Sequence, residues 1–393
     1  MKLLGEIAHI AAGQGAPQGD ASYSEIGVPF IKAGNLYDLV NNNIDELSVQ
    51  KVSEETAKKY KLKLFPKGTV VFAKSGMSCM KGYVYELHNP CYVVNHLACI
   101  TLKNDLPRFV KYFFDKNPPN ALVKDSAYPS ISLSDIASIQ IPLPPLHIQQ
   151  KIAHILDHTN AIIEKRKTQI EKLNLLVKSQ FIEMFGDTMT NSMGWEVSKL
   201  GNLSSLITKG ASPNWQGFGY TPDSTQTLFV TSENVREGYV DLESPKYIVD
   251  AFNEKQRRSI LHKGDFLINI VGASIGRAAQ YTLDAKANIN QAVALVRLAS
   301  SLTNERYLLH YLNSQKALEM YASMQVAVAR ANLSLQNISD LEIILPPIEL
   351  QNSFAEFVRA VDKSKFELLQ GLDKLELLYK SLMQKCFNGE LYS

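Results

Sequence analysis

The sequence predicts an α+β protein with two β-rich domains in tandem, two long helices and a pseudo-two-fold relation between its halves. The residues Ile-Pro-Leu-Pro-Pro-Leu at 141–146 return as Ile-Ile-Leu-Pro-Pro-Ile at 343–348, an offset of 202. A second match, 64–71 against 260–267, has an offset of 196. Both Pro-Pro motifs lead into a segment with heptad spacing. This order indicates a duplicated unit, each copy globular first and helical afterwards.

The length of 393 residues suits two domains of similar size. From the repeats we predict globular domains over residues 1–147 and 188–349, a central helix over 148–187 and a C-terminal helix over 350–393. The four cysteines show no paired spacing, so we expect neither disulfides nor a metal site. The sequence shows no secretory signal and no apolar stretch of membrane-spanning length, and we therefore expect a cytoplasmic protein without membrane contact.

Positive charge is concentrated in the globular domains, although the whole chain has a net charge of only +2. Residues 51–81 contain eight lysines and two glutamates, and residues 246–277 contain six basic and three acidic residues. The helical segment 350–393 has six residues of each sign. This distribution favours contact of the globular domains with phosphates. A solvated lysine-rich helix face around 53–63 is the alternative explanation.

Short apolar runs bounded by Gly, Pro and Asn predict strands in both globular domains. The runs lie at 69–73, 92–102, 138–143, 266–271, 292–298 and 340–345, and helical patterns occur at 53–62, 108–116 and 305–321. Each Pro-Pro pair predicts an elbow, because proline fixes φ, lacks an N–H and keeps the preceding residue extended. Leu143 and Leu345 should therefore end strands, and the long helices should begin just after the prolines.

Apolar residues in both helical segments are spaced alternately by three and four positions, which is the pattern of a narrow coiled-coil seam. Each segment covers about 35 residues, or roughly 50 Å of helix. The predicted seam residues are Ile152, Ile155, Ile163, Ile170, Leu173, Val177, Phe354, Phe357, Val361, Leu368, Leu372, Leu375, Tyr379 and Leu382.

A long helix with so narrow an apolar stripe is stable only when the stripe is buried. The simplest partner for each helix is the other copy. An antiparallel pair would place one globular domain at each end, whereas a parallel pair would need a long return connection. We therefore predict an antiparallel coiled coil. The alternative is that each helix packs against its own globular domain.

Three sets of motifs recur in the same order in both halves of the chain. They are Pro29-Phe30-Ile31-Lys32 with Asn35, and Leu228-Phe229-Val230-Thr231 with Asn234; Lys67-Gly68 with Ser75-Gly76, Ser78 and Lys81, and Lys263-Gly264 with Gly272, Ser274 and Gly276-Arg277; and the two Leu-Pro-Pro elbows.

These ordered motifs resemble those of the specificity subunit of type I restriction–modification systems, and the resemblance covers the whole chain. It implies that each globular unit is a target recognition domain that reads one half of a split DNA sequence. It also implies that the two helices space these domains and dock methyltransferase subunits.

The sequence departs from this pattern at Met80, and His147 and Glu349 occupy variable positions of the two elbow motifs. The first copy has Met80 where the second copy has Gly276, so loop 75–83 should adopt a different turn from its counterpart. Between the shared framing elements, the two globular domains differ freely in sequence. Such a division is expected of two related domains that bind different targets.

Two motifs typical of enzymes are present, and neither predicts catalysis. Residues 272–276 match the nucleophile elbow G-x-S-x-G around Ser274, but the first copy lacks the second glycine and no helical pattern follows. Residues 117–120, Asn-Pro-Pro-Asn, lack the aromatic residue with which base-modifying enzymes stack a flipped base, and no glycine-rich cofactor loop precedes them. We therefore predict that the chain has no catalytic, cofactor-binding or metal-binding residues.

The predicted function is recognition of a DNA sequence without catalysis. Lys and Arg would contact phosphates, while Asn, Gln, Ser, Tyr and selected Arg would reach base edges. The candidate contacts are Lys32, Asn35, Lys74, Ser75, Lys81, Tyr128 and Ser130 in the first domain, and Ser232, Asn234, Asn269, Ser274, Arg277, Arg330 and Asn332 in the second.

The resemblance also implies the partners of the chain. These are double-stranded DNA with a bipartite target, two methyltransferase subunits that bind S-adenosylmethionine, and restriction subunits that use ATP and Mg. None of these cofactors is expected in this chain. An alternative from another class is a duplicated scaffold that bridges two protein partners without binding DNA.

Overall fold

The computed structural model describes residues 1–19, 22–299, 301–327, 332–388 and 390. The chain divides into two compact units. Unit 1 consists of Met1–Thr168 and Leu369–Ser393, and unit 2 consists of Gln169–Leu368. Unit 1 therefore combines the first part of the chain with its C-terminal segment.

Unit 1 contains a four-stranded antiparallel sheet of order β2-β8-β5-β6 and a three-stranded sheet of order β4-β3-β7, and β1 pairs with β9. Five short helices cover these sheets, and the long helix α6 follows them. The strands are β1 (Lys2–Leu3), β2 (Ala8–Ala12), β3 (Val28–Ile31), β4 (Lys51–Val52), β5 (Val70–Ala73), β6 (Val84–Glu86), β7 (Tyr92–Val93), β8 (Leu97–Leu102) and β9 (Gln140–Ile141). The helices are α1 (Leu4–Ile7), α2 (Asn35–Asn41), α3 (Glu54–Lys59), α4 (Pro107–Lys116), α5 (Leu133–Ala137) and α6 (Leu146–Phe185).

Unit 2 has four-stranded sheets of order β11-β18-β15-β16 and β12-β14-β13-β17, and β10 pairs with β19. The strands are β10 (Glu196–Lys199), β11 (Ser204–Lys209), β12 (Tyr220–Thr221), β13 (Thr227–Val230), β14 (Tyr247–Ile248), β15 (Phe266–Asn269), β16 (Ala278–Gln280), β17 (Ala287–Ile289), β18 (Val293–Leu298) and β19 (Glu342–Leu345). The helices are α7 (Leu200–Leu203), α8 (Ala251–Lys255), α9 (Glu305–Leu312), α10 (Gln315–Ala327), α11 (Leu335–Ser339) and the long helix α12 (Ile348–Asn388).

The two units share their topology, as the repeats predict, except that the second sheet of unit 2 has one further edge strand, β12. In each unit the second sheet contains one parallel pair, β3 with β7 in unit 1 and β13 with β17 in unit 2. A glycine is needed directly after β2 in unit 1 and directly after β11 in unit 2. A Cβ atom on Gly13 would lie 2.0 Å from the Val93 oxygen, and one on Gly210 would lie 1.8 Å from the Ile289 oxygen. Only glycine permits so close a backbone approach.

A buried glutamine explains why the elbow motif recurs. Gln149, 1% exposed, accepts a hydrogen bond from the Leu106 backbone N–H at 3.0 Å and donates one to the Pro144 oxygen at 2.9 Å. Gln351 makes the same two kinds of bond in unit 2, with the loop before α9 and with its own elbow. Each glutamine therefore fixes the first turn of a long helix to its globular domain. The helices begin directly after the prolines, as predicted, although β9 ends two residues before Leu143.

The two long helices run antiparallel, which confirms the predicted coiled-coil direction. Unit 1 contains the first part of α6 with the last part of α12, and unit 2 contains the remaining parts. In unit 1, Lys167 and Glu376 form an ion pair at 3.8 Å. In unit 2, the Lys365 ammonium donates a hydrogen bond to the Asn174 side chain at 2.8 Å. Residue numbers thus rise along α6 as they fall along α12.

The predicted seam shifts by one residue in unit 1. Ile155 is 38% exposed, whereas Leu156 is completely buried in the core of unit 1. The helix packs against the globular domain as well as against its partner helix, so it buries a wider stripe than a two-helix seam requires. The remaining predicted seam residues are buried or half-buried: Ile152, Ile163, Ile170, Leu173, Val177, Phe354, Phe357, Val361, Leu368, Leu372, Leu375, Tyr379 and Leu382.

Aromatic side chains join the long helices to the globular part of each unit. In unit 1, Phe387 near the end of α12 lies 5.1 Å from Phe109 of α4, measured between ring centroids. In unit 2, Phe185 at the end of α6 lies 4.7 Å from Tyr307 of α9. His310, one turn further along α9, meets Phe354 edge-on at 5.3 Å beside a cleft of about 580 Å³.

The pH dependence of unit 2 should depend on His310. Burial lowers the pKa of His310 to about 4, from an ordinary value of 6.5. The folded state therefore favours the neutral ring, so this contribution to stability is complete above pH 6.5 and is lost as the pH falls toward 4. At pH 5 the loss should be about 2 kcal/mol. The backbone N–H groups of Leu106 and Asn304 bond the two elbow glutamines in the same way, which relates α4 to α9 by an offset of 198. Tyr112 is therefore the counterpart of His310, and His310→Tyr supplies a variant without this titration.

Urea unfolding of both proteins at pH 7.5 and pH 5 measures this effect. We expect the native chain to lose more stability on acidification than the His310→Tyr variant, by about that amount. Equal losses in the two proteins would show that His310 does not carry the pH dependence.

Candidate nucleic-acid interface

In unit 1, the chain segments that follow β3, β5 and β7 lie at one edge of the sheets. The Val94 backbone N–H donates to the Ile31 oxygen at 3.0 Å, and that of Lys74 donates to the His96 oxygen at 2.9 Å. These bonds connect the ends of the three strands. We call this region the first polar edge; it comprises residues 32–35, 74–81, 95–96 and 128–130.

The first polar edge brings together several of the predicted contact residues. Ser75 forms a backbone bridge with Ser130, and the Ser75 hydroxyl is hydrogen-bonded to the His96 ring nitrogen Nδ1 at 2.8 Å. Tyr128 lies two residues before Ser130 and is 82% exposed. His96 was absent from the predicted set. His96 lies within the run 92–102 that predicts a single strand, so the local sequence carries no signal of its exposure.

Lys32 and Asn35 also lie at this edge, but both side chains are engaged. The Lys32 ammonium donates to Gln50 Oε1 at 2.6 Å and lies 4.3 Å from the centre of the Tyr23 ring. Asn35 Oδ1 accepts a hydrogen bond from the Lys32 backbone N–H at 2.8 Å. Asn35 therefore stabilises the turn into α2, which leaves only its amide N–H groups for another partner.

Lys81 ends a 3-10 helix, Met77–Lys81, and its side chain is exposed. It lines a cleft of about 290 Å³ together with Gly34 and Tyr37, so it belongs to the first polar edge. Cys79 anchors this turn at 1% exposure, and burial raises the pKa of its thiol. The 3-10 helix has no counterpart after β15, where turns at Gly272 and Gly276 have φ of 83° and 87°. This confirms that the two loops adopt different turns.

Unit 2 has an equivalent edge. The Asn269 amide at the end of β15 donates to the Ser232 oxygen at 2.9 Å and to the Ser274 hydroxyl at 3.0 Å. The Asn290 backbone N–H donates to the Val230 oxygen at 3.2 Å. We call this region the second polar edge; it comprises residues 231–234, 269–277, 290–291 and 332.

Two predicted contacts in unit 2 need correction, because a buried side chain cannot reach a base. Asn234 is 7% exposed; its Oδ1 accepts from the Thr231 backbone N–H at 2.9 Å, and its amide donates to the Asp241 oxygen at 3.0 Å. Asn269 is completely buried and joins the loops that carry Ser232 and Ser274. Both residues hold loops of the second polar edge in place through these hydrogen bonds.

The other predicted residues of unit 2 are accessible. Ser232 and Ser274 are half-buried, and Arg277 and Asn332 are exposed. Asn332 pairs through its backbone with Val271, which places it at the same edge. Arg330 lies outside the described residues.

A comparison with protein families decides the assignment. The family model described as type I restriction modification DNA specificity domain matches residues 1–174 and 193–377. The chain belongs to this family. It is therefore a DNA-specificity subunit of a type I restriction–modification system and not one of the enzymes of that system. The alternative of a scaffold that does not bind DNA is not favoured.

Relatives of known type agree with the family. The type I restriction enzyme MjaIX specificity subunit of Methanocaldococcus jannaschii is 23% identical over 416 residues, covering 100% of this chain and 93% of the relative. The EcoKI specificity subunit of Escherichia coli (strain K12) is 23% identical over 399 residues, covering 93% of this chain and 82% of the relative.

Solved structures share the fold. The type I S subunit of M. genitalium superposes with a TM-score of 0.58 at 13% identity, covering 98% of this chain and 95% of that chain. A chain from a structural study of type I restriction–modification complex assembly superposes with a TM-score of 0.60 at 18% identity, covering 98% and 96%.

Both enzyme-like motifs form hydrogen bonds that stabilise loops of this fold. The Ser274 hydroxyl accepts its hydrogen bond from the Asn269 amide at 3.0 Å. Asn120 donates to the Met80 oxygen at 3.1 Å and so holds the turn that carries Lys81. The Asn-Pro-Pro-Asn segment therefore helps to stabilise the first polar edge at Lys81.

One histidine pair was overlooked in the sequence. His154 and His158 lie one turn apart on α6, with stacked rings whose centroids are 6.4 Å apart. This spacing suits two ligands of a metal ion. Within the part of the chain that the structure describes, no group of three or more His, Cys, Asp or Glu side chains is placed to hold a metal ion.

Within the same residues, none of the helices is both long enough and apolar enough to span a bilayer.

Proposed function

We propose that each globular domain of this specificity subunit reads one half of a bipartite DNA site. Residues 1–147 and 188–349 are the target recognition domains. The helices over 148–187 and 350–393 set the spacing between the two halves and dock methyltransferase subunits. The recognised sequence is read from the two polar edges.

The observation that carries this proposal is the recurrence of one edge in both units. Polar loops follow β3 and β5 in unit 1 and the equivalent strands β13 and β15 in unit 2. These loops differ between the units in sequence and in turn type. A shared frame fixes the position of a reader relative to DNA, while different side chains select different bases. This is the arrangement that two half-sites of unlike sequence require.

Exposed leucines on the long helices support the docking role. Leu175 and Leu176 of α6 are 62% and 45% exposed, and Leu377 and Leu378 of α12 are 65% and 50% exposed. The two pairs are related by the repeat offset of 202 residues. Adjacent exposed leucines on a helix that already has a partner indicate a surface for further helices. Duplication of the pair suits a partner that is present in two copies.

The partner subunits would supply the chemistry. Methyltransferase subunits would bind S-adenosylmethionine and methylate adenine, and restriction subunits would use ATP and Mg to translocate and cut DNA. This chain would contribute recognition of the DNA sequence, as part of a cytoplasmic complex. Double-stranded DNA is its nucleic-acid partner.

Charge reversal at the polar edges tests the DNA contacts. In the complex assembled with methyltransferase subunits, Lys81→Glu and Arg277→Glu should each weaken DNA binding by about tenfold. Each should also lower the slope of the logarithm of the binding constant against the logarithm of the salt concentration by about one, because one phosphate contact is lost. Binding is measured by fluorescence anisotropy over a range of salt concentrations, with a duplex that contains the methylation motif.

Matched controls come from the opposite ends of the same strands. Lys67 and Lys263 occupy equivalent positions in the turns before β5 and β15. Lys67→Glu and Lys263→Glu make the same charge change and should leave DNA binding unchanged. If the edge variants bind as well as the controls, the polar edges do not face DNA.

A further inference from the structure

An exposed tryptophan in unit 2 has no role in the account above. Trp215 lies in the loop between β11 and β12 and is 91% exposed, the largest exposed fraction of any large apolar side chain among the described residues. Tryptophan is rarely so exposed in a soluble protein, because its indole contributes much apolar surface. Because tryptophan is enriched at interfaces, Trp215 is a candidate for contact with another molecule.

The loop around Trp215 is held in one conformation. The backbone N–H groups of Gln216 and Phe218 both donate to the Pro213 oxygen, at 2.9 and 3.0 Å. Gly217 has φ of 82°, and the Phe218 ring meets Phe252 edge-on at 5.6 Å. These contacts stabilise the turn that carries the indole, so the backbone of the turn would lose little entropy on contact with another molecule.

The same loop begins at the second polar edge. The Gly210 backbone lies against the Ile289 and Asn290 carbonyl groups, and Asn290 is part of that edge. Trp215 is only five residues further along the chain. The loop that carries Trp215 therefore starts at the surface proposed to face DNA.

Basic residues adjoin this loop. The Lys255 ammonium donates to the Gln216 oxygen at 3.2 Å, and Lys255, Arg257 and Arg258 are exposed. Unit 1 has the exposed Lys59 and Lys61 at the positions related to 255 and 257 by the offset of 196.

The tryptophan itself is not repeated. The positions related to 215 by the offsets of 196 to 199 that connect the flanking residues are 16–19, Ala-Pro-Gln-Gly, and none of them is aromatic. In a DNA reader, features common to both domains suit the phosphate backbone, which is the same at every site. Features found in only one domain suit the sequence or shape of its own half-site.

We propose that Trp215 reads the second half-site of the DNA duplex by packing its indole against the apolar edge of a base in a groove, such as a thymine methyl group, beside phosphate contacts from Lys255 and Arg257. The bases of a duplex are stacked on one another, so their edges and not their faces are open to an aromatic side chain, and the flanking cations would fix the position of the backbone. This inference rests on the proposed function. It adds a specificity-determining residue outside the two polar edges.

Fluorine NMR tests the contact directly. The chain has two tryptophans, Trp195 and Trp215. When this chain is labelled with 5-fluorotryptophan and assembled with unlabelled methyltransferase subunits, it should show two resonances. Trp195 is half-buried and donates to the Phe185 oxygen at 3.0 Å, so it serves as an internal reference.

Addition of the recognised duplex should shift the Trp215 resonance and leave that of Trp195 in place. If both resonances stay in place while the complex binds DNA, the proposal is overturned and the proposed function stands. A Trp215 resonance that already shifts when methyltransferase subunits are added, and does not move further with DNA, would overturn it in favour of a protein contact. A complex that binds no DNA would refute the proposed function itself.

Substitution tests the specificity. Trp215→Ala should weaken binding of the recognised duplex by roughly tenfold, the size expected for loss of one base-edge contact, and Trp215→Tyr should restore most of the loss. Against a duplex in which only the second half-site is scrambled, Trp215→Ala should have almost no further effect. An equal loss on both duplexes would show that the indole does not read the second half-site.

Discussion

Arg297→Met is expected to lower the free energy of unfolding by about 3–5 kcal/mol. Arg297 forms a two-point ion pair with Asp265, with Nε–Oδ1 and Nη2–Oδ2 distances of 2.7 Å. Asp265 is only 2% exposed, so removal of the arginine would leave a buried carboxylate without its counter-charge. The hydrogen bonds to Asp265 also raise the pKa of Arg297. Urea unfolding, with hydrogen exchange at β15 and β18 to locate the effect, measures the loss.

The chain itself provides the matched control. The positions equivalent to Asp265 and Arg297 in unit 1 are Thr69 and Thr101, whose hydroxyl groups lie 3.1 Å apart. A neutral hydrogen-bonded pair therefore fits the same frame. The double variant Asp265→Thr/Arg297→Thr should recover most of the stability that Arg297→Met loses. A loss below about 1 kcal/mol in the single variant, or no recovery in the double, would contradict this account of the pair.

Replacement of all four exposed leucines, Leu175, Leu176, Leu377 and Leu378, by serine should prevent stable binding of methyltransferase subunits. Burial of one leucine contributes about 1.5–3 kcal/mol, so each pair should contribute about 3 kcal/mol after allowance for partial exposure. That is more than a hundredfold in affinity for each pair. The fold should tolerate the change, because these side chains are 45–65% exposed. Native mass spectrometry of mixtures with methyltransferase subunits gives the stoichiometry.

The control for this experiment replaces leucines of similar exposure elsewhere. Leu47 and Leu64, 49% and 46% exposed, lie in the globular part of unit 1. The double variant Leu47→Ser/Leu64→Ser should assemble like the native chain. Normal assembly of the fourfold helix variant would mean that the methyltransferase subunits dock on another surface.

The long helices and the duplicated topology followed from local patterns, which is why they could be predicted. Heptad spacing and the Pro-Pro elbows are encoded within a few turns of chain, and the repeat supplied the partner of each helix. Where packing is not local, the prediction was wrong. Ile155 was predicted to be a seam residue, but the neighbouring Leu156 is buried instead because the helix also packs on the globular domain.

Tertiary hydrogen bonds account for other differences. The pattern at 305–321 predicted one helix, but α9 ends before Asn313, whose side chain bonds both backbone groups of Ala278. The predicted strand 92–102 is divided into β7 and β8 by the turn at the first polar edge.

Candidate contact residues were harder to predict than the elements. Residue type suggested Asn234 and Asn269, yet both are buried and hold loops in place. A side chain that forms a base contact and one that shapes the loop below it have the same hydrogen-bonding groups. Only tertiary burial separates them. His96 and Trp215 were not selected for the converse reason, because nothing in their local sequence reveals their exposure.

The central claim is that each globular domain reads its own half of an interrupted site. Single-molecule sequencing of adenine methylation tests it most directly, in cells that carry the native chain and in cells where residues 188–345 are replaced by the corresponding segment of another family member. We expect a bipartite motif in the first case, and a motif with one altered half and one unchanged half in the second. A continuous motif, or a change in both halves, would contradict the claim.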